Sequence, residues 1–94
     1  MDERERFAAL ESYVTPDIVD RLKRLPYEEF LRTSYWRTVF GYMKERDKVC
    51  QRCREKGELQ VHHRHYDHRG EEFRHLEDLI VLCELCHLEK HGYL

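Results

Sequence analysis

Four cysteines in two pairs constrain the fold of this chain more than any other feature. Cys50 and Cys53 form one CxxC pair, Cys83 and Cys86 form the other, and 29 residues lie between Cys53 and Cys83. Two such pairs at this separation are typical of a tetrahedral zinc site. The chain has only 94 residues, and a structural metal commonly compensates for the thin core of a small domain. The spacing therefore predicts a structural Zn²⁺ bound by four cysteines.

The rest of the composition supports metal binding over disulfides. No apolar run approaches the roughly 20 residues of a membrane span, and the segment from Met1 to Arg6 is too charged for a signal peptide. A cytoplasmic location is therefore expected, and in that compartment paired CxxC motifs predict metal ligands. A redox role for one CxxC pair is the alternative.

Charge is unevenly distributed along the chain. The formal net charge is −2, yet residues 32–69 hold ten Lys and Arg against five Asp and Glu. A basic middle segment is compatible with a nucleic-acid surface, and equally with a solvated surface of mixed charge.

Three helices are predicted before the first cysteine. Thr15 is a suitable N-cap for a short helix that ends at Pro26. A less regular helical pattern runs from Phe7 to Val14, and Ser34 is the expected N-cap of a helix over 34–47. The apolar stripe of that last helix predicts a core-facing side, formed by Trp36, Val39, Phe40 and Met43.

Four histidines provide a second set of metal ligands. His62 and His63 end a predicted strand that begins at Leu59, so they point to opposite faces of the sheet. A second strand is predicted over 79–82, followed by a helix from Glu84 to His91. On that helix His87 and His91 lie one turn apart and share a face.

One histidine of the doublet can therefore join His87 and His91 at a metal ion, while the other acts as a proton acceptor. Two alternatives stay open. The histidines could be ordinary strand and helix residues, or His87 could replace a cysteine in the structural site.

Together these motifs resemble the HNH endonucleases, which have a ββα-metal fold. The resemblance covers about residues 31–92 and rests on the motifs Cys50-x2-Cys53, Leu59-x-Val61-His62-His63 and Leu76-Glu77-Asp78-Leu79-x-Val81-Leu82-Cys83-x2-Cys86-His87-x3-His91. It implies a small α+β fold in which a zinc knuckle accompanies two strands and a helix. Residues 1–30 would then be an N-terminal helical extension, and residues 31–94 the nuclease domain.

The resemblance also implies roles for individual residues. His62, His87 and His91 would bind a catalytic divalent ion such as Mg²⁺, Mn²⁺, Ni²⁺ or Zn²⁺, and His63 would be the general base. Asp78 occupies the position of an Asn that steadies the loop between the strands, and it is expected to accept the same backbone N–H groups.

The implied activity is hydrolysis of phosphodiester bonds in double-stranded DNA, with one strand nicked per domain. The alternative is a catalytically silent, zinc-stabilised module that binds nucleic acid or protein. A homodimer or a protein partner could use the N-terminal segment.

Residues outside the metal sites complete the set of candidates. His65 is expected to face the same side of the strand as His63 and so competes for the role of base, while His68 and His75 are expected at the surface. The candidates for phosphate contact are Arg52, Arg54, Arg64 and Arg69.

Overall fold

The structure is a computed structural model that describes residues 1–90 and Gly92. Five helices and two strands follow one another in the order α1 (Glu3–Tyr13), α2 (Pro16–Arg24), α3 (Tyr27–Phe30), α4 (Ser34–Arg46), β1 (Leu59–His63), β2 (Leu79–Cys83) and α5 (Glu84–Lys90). The connection between the strands contains two short 3-10 turns. This is the predicted α+β class, with a two-stranded sheet followed by a helix.

Hydroxyl side chains begin two of the helices. The Thr15 hydroxyl accepts the N–H of Ile18 at the start of α2, as predicted. The prediction that Ser34 caps α4 is wrong, because Thr33 is extended and its hydroxyl accepts the N–H of Trp36 at 3.1 Å. Ser34 is instead the first helical residue.

The N-terminal helices pack on the rest of the chain. Helix α1 lies along α4, where the rings of Phe7 and Tyr42 stack with their centroids 3.9 Å apart. Leu10 of α1 and Leu22 of α2 are buried in the same core as the sheet residues. Residues 1–30 therefore contribute to the core, and the division of the chain at residue 31 stays a prediction.

The sheet separates two environments. Strands β1 and β2 are antiparallel, with Val61 opposite Val81 and His63 opposite Leu79. Along β1 the side chains of Leu59, Val61 and His63 are buried, and the intervening ones are partly exposed. His62 and His63 thus lie on opposite faces, as the strand pattern predicts.

In the part of the chain that the structure describes, no helix has the length and apolarity needed to cross a membrane.

Candidate metal and active site

The four cysteines converge at one point, as predicted. Their Sγ atoms all lie within 4.8 Å of one another, and those of Cys53 and Cys83 are 3.7 Å apart. Four sulfurs around one zinc ion, each bonded at about 2.3 Å, would be separated by about 3.8 Å. The donor set and the spacing therefore fit one tetrahedral ion.

Backbone N–H groups donate to two of the four sulfurs, and they favour the thiolate form of Cys50. The N–H of Cys53 donates to Cys50 Sγ at 3.4 Å, and the N–H of Cys86 donates to Cys83 Sγ at 3.5 Å. Burial alone would raise the pKa of the Cys50 thiol, but backbone hydrogen bonds from Cys53, Cys83 and Arg52 lower it to about 6. Since the thiolate is the metal-binding form, the backbone prepares Cys50 as a ligand.

The cysteine cluster joins the loop after α4 to the sheet. Cys50 and Cys86 are buried in the hydrophobic core. The N–H of Gln51 donates to the carbonyl of Val81 at 2.9 Å. A metal at the cluster would thus fix this loop, the end of β2 and the start of α5 together.

The rings of His62 and His87 are edge-on neighbours on the other side of the sheet from His63. Their ring centroids are 5.2 Å apart and the rings are inclined at 73°. Two imidazoles bound to one tetrahedral ion, with metal–nitrogen bonds of about 2.0–2.1 Å, have centroids about 5 Å apart. The centroid spacing of the pair therefore matches that of two imidazoles on a shared ion. His91, the third predicted ligand, lies outside the described residues.

His63 is buried, and only 4% of it is exposed. Its ring stacks between Trp36 and Tyr66, with centroids 4.8 Å and 4.7 Å away. Nε2 lies 3.0 Å from Glu72 Oε2, and Nδ1 lies 3.5 Å from the hydroxyl of Tyr27. The tautomer is assigned from these contacts: a carboxylate acceptor beside Nε2 places the ring proton on Nε2 and leaves Nδ1 as the acceptor.

Glu72 organises this buried network and was missed by sequence reasoning. Its Oε1 accepts the hydroxyl of Tyr35 and the N–H of Gly70, both at 2.8 Å, and its other oxygen bonds His63. Burial and the neighbouring carboxylate raise the pKa of Tyr35, so that its hydroxyl stays a donor. Glu72 lies in a loop with several other charged residues, so nothing local distinguishes it.

Comparison with known families agrees with this geometry. Residues 50–92, which span both cysteine pairs and both strands, match the HNH endonuclease family. This part of the chain belongs to the HNH endonuclease family. The comparisons with curated proteins and with solved structures gave no significant match.

Asp78 of the HNH domain ties the loop between the strands, but not in the expected way. Its buried carboxylate bonds the imidazoles of His68 and His65, at 2.6 Å and 3.1 Å, where backbone N–H groups were expected as donors. The backbone hydrogen bond is made by the main chain of Asp78 instead of its side chain. The N–H of Arg64 donates to the Asp78 carbonyl at 2.7 Å.

The expectation that His65 faces the same side as His63 does not hold. Strand β1 ends at His63, so the alternation of side chains does not extend to His65. The His65 ring turns towards Asp78.

The four candidate arginines have different surroundings in the HNH domain. Arg69 points inward, where its guanidinium donates to the Leu25 carbonyl and lies 4.6 Å from the ring centroid of Phe30. Arg52 is exposed and pairs with Glu89 of α5. Arg54 and Arg64 are also exposed. Neither takes part in the ion pairs found among residues 1–90.

The contact between His68 and Asp78 predicts a pH-dependent stability. The hydrogen bond to Asp78 raises the pKa of His68 above its ordinary value of 6.5. A raised folded-state pKa contributes stability that is fully present below the unfolded-state pKa and is lost as pH rises through the folded-state value. The substitution His68→Gln is therefore expected to destabilise the protein more at about pH 6 than at about pH 9. Urea unfolding of both proteins at both pH values measures the difference.

A matched control is Lys56→Gln, an exposed substitution in the loop before β1. Its small effect on the free energy of unfolding should be the same at the two pH values. An effect of His68→Gln that does not change with pH would contradict the prediction.

Proposed function

We propose that this protein is a metal-dependent DNA endonuclease that hydrolyses phosphodiester bonds and nicks one strand per domain. Membership of residues 50–92 in the HNH family supports a nuclease-related role. The observation that carries the proposal is the pair His62 and His87, whose ring centroids lie 5.2 Å apart. A domain stabilised only by the four-cysteine zinc has no need of this second pair of ligands.

The proposed catalytic ion is a divalent metal such as Mg²⁺, Mn²⁺, Ni²⁺ or Zn²⁺, held by His62, His87 and His91. His91 lies outside the described residues and is included from its one-turn spacing with His87 in the sequence and from the family resemblance. When bound, the ion would supply Lewis-acid stabilisation of the negative charge that develops on the phosphate.

His63 is the proposed general base. Its Nε2–H is held by Glu72, which leaves the lone pair of Nδ1 to take a proton from the attacking water. The Tyr27 hydroxyl lies 3.5 Å from that nitrogen. Because the imidazole is buried, water must take the place of this hydroxyl next to Nδ1 before a proton can move.

The proposed DNA surface adjoins the His62 face of the sheet. An open groove there is lined by Gln51, Arg52, Ile80, Leu82, Glu89 and Lys90. Ile80 is the cross-strand neighbour of His62, so the groove runs beside the proposed metal ligands. Arg52, with the exposed Arg54 and Arg64, would contact phosphates. Arg69 is not part of this surface, because its guanidinium points inward and donates to the Leu25 carbonyl.

A plasmid-nicking assay tests the proposal. Wild-type protein is expected to convert supercoiled DNA to open circles with at least one of Mg²⁺, Mn²⁺, Ni²⁺ and Zn²⁺. The variants His63→Ala and His87→Ala should each nick at least about 100-fold more slowly, because one loses the base and the other a metal ligand. His75→Ala, which changes a histidine outside both roles, should nick like wild type. Cleavage by His63→Ala at the wild-type rate would show that His63 is not the base.

A second candidate is a catalytically silent, zinc-stabilised module that binds nucleic acid or protein. Two features of His63 favour it: both ring nitrogens already have partners so that water has no direct access, and the ring lies on the opposite face of the sheet from His62. Wild-type protein that shifts DNA in a gel but leaves it uncut with every metal would select this candidate for nucleic acid. If the protein neither binds nor cleaves DNA, the remaining candidate is a module that binds another protein.

A further inference from the structure

The loop between the strands holds another cluster of metal-competent side chains, apart from the cysteines and from His62 and His87. His65 Nε2 lies 3.1 Å from Asp78 Oδ1, and His68 Nδ1 lies 2.6 Å from Asp78 Oδ2. One ligand atom from each of the three residues can be chosen so that all lie within 4.8 Å of one another.

We propose that His65, His68 and Asp78 form an additional binding site for a divalent transition metal of the Zn²⁺ class. The site is independent of the proposed nuclease activity, since it uses none of the residues assigned to the catalytic ion.

The donor set determines the class of metal. Two imidazoles and one carboxylate suit Zn²⁺ and neighbouring first-row ions, with solvent or a small anion completing the coordination. Mg²⁺ and Ca²⁺ favour sites built from oxygen ligands. The cluster lies at the surface, where the side chains of His65 and His68 are 48% and 38% exposed, so an ion can enter from solvent.

Neighbouring groups orient the histidines as they do around bound metals. The other ring nitrogen of His65, Nδ1, lies 3.5 Å from the carboxylate of Asp67. A metal-binding histidine commonly directs its second nitrogen to a carboxylate, which fixes the tautomer and the ring orientation. His75 stacks on the His68 ring, with centroids 3.6 Å apart and planes inclined at only 9°.

Asp78, the third ligand, is held in place by burial and by backbone hydrogen bonds. Asp78 is 2% exposed, its carbonyl accepts the N–H of Arg64, and its N–H donates to the carbonyl of His75. The ring centroids of His65 and His68 are 6.1 Å apart, whereas two imidazoles on one ion lie about 5 Å apart. A movement of about 1 Å by the exposed His65 side chain would bring both rings to that spacing.

Imidazole NMR tests the assignment without any substitution. The protein, with its four-cysteine zinc retained, is labelled with ¹⁵N and titrated with ZnCl₂ while the histidine ring nitrogens are observed. His65 Nε2 and His68 Nδ1 are expected to shift to metal-bound values, and the His75 nitrogens are not. Unchanged His65 and His68 signals at millimolar zinc would overturn the proposal.

Metal counting gives a second, independent readout. In the double variant His62→Ala, His87→Ala, equilibrium dialysis against Zn²⁺ followed by elemental analysis should find two zinc ions per chain. Adding His65→Gln and His68→Gln should reduce the number to one, whereas adding His75→Gln should leave it at two. One ion in the double variant, or two that survive the His65 and His68 substitutions, would contradict the site. Failure of plasmid nicking would change none of these counts, so the two proposals fail separately.

Discussion

The variant Cys50→Ser is expected to lose the cooperative fold of the domain. Cys50 is fully buried, and its thiol is one of four that converge on a zinc-sized space. Binding of a structural zinc contributes on the order of 10 kcal/mol, whereas a whole small domain is stable by only about 5–15 kcal/mol. Loss of one ligand, together with a polar hydroxyl in the core, therefore removes most of the free energy of folding. Thermal unfolding followed by circular dichroism should show no cooperative transition.

Leu85→Ala provides a matched control for the cysteine prediction. Leu85 lies between Cys83 and Cys86 but is 62% exposed, so its truncation should leave the melting temperature nearly unchanged. Removal of zinc from the wild-type protein with a strong chelator should reproduce the effect of Cys50→Ser. A Cys50→Ser protein that melts cooperatively close to the wild-type temperature would show that the domain folds without its metal.

Elements with a local signal could be predicted from the sequence. Thr15 followed by Pro16 specifies the start of α2 through a side-chain cap and a fixed φ angle, both of which act within one turn. The alternation from Leu59 to His62 specifies β1 and the opposite orientations of His62 and His63. The wrong cap at α4 has an equally local origin, because Thr33 and Ser34 are adjacent residues with similar capping ability.

Contacts made through the loop between the strands could not be predicted. That loop has neither helical nor strand periodicity, so the sequence does not indicate which of its charged residues turn inward. Glu72 bonds Tyr35 of α4, and Arg69 bonds the Leu25 carbonyl at the end of α2. Both contacts join segments more than thirty residues apart, and they form only when the N-terminal helices pack on the sheet.

Asp78 illustrates the limit of transferring a role from a family. The residue at this position still connects the loop to β2. Its carboxylate, however, contacts two imidazoles that the loop of this chain supplies, those of His65 and His68. A substitution of Asn by Asp replaces a group that donates and accepts by one that only accepts. The loop of this chain provides suitable donors, so the tie is kept with different partners.

Glu72→Gln is expected to slow DNA nicking by about 10²–10⁴-fold while the domain stays folded. The Glu72 carboxylate accepts the Nε2–H of His63 at 3.0 Å and thereby keeps Nδ1 unprotonated. A glutamine can present its NH₂ group to the same nitrogen, which moves the ring proton to Nδ1 and removes the acceptor needed by the attacking water. The accompanying loss of stability should be about 1–3 kcal/mol, because a buried polar network is disturbed.

Tyr35→Phe separates positioning of the base from general stability. It removes the hydroxyl that Glu72 accepts at 2.8 Å but leaves the bond between Glu72 and His63 in place. The variant should lose a similar free energy of unfolding and still nick within a few-fold of wild type. The imidazole ¹⁵N shifts of His63 supply a readout that a purely structural role would not move: they should report a proton on Nε2 in Tyr35→Phe and on Nδ1 in Glu72→Gln. If Glu72→Gln nicks as fast as Tyr35→Phe, or if the His63 tautomer is the same in both, Glu72 serves the core and not the base.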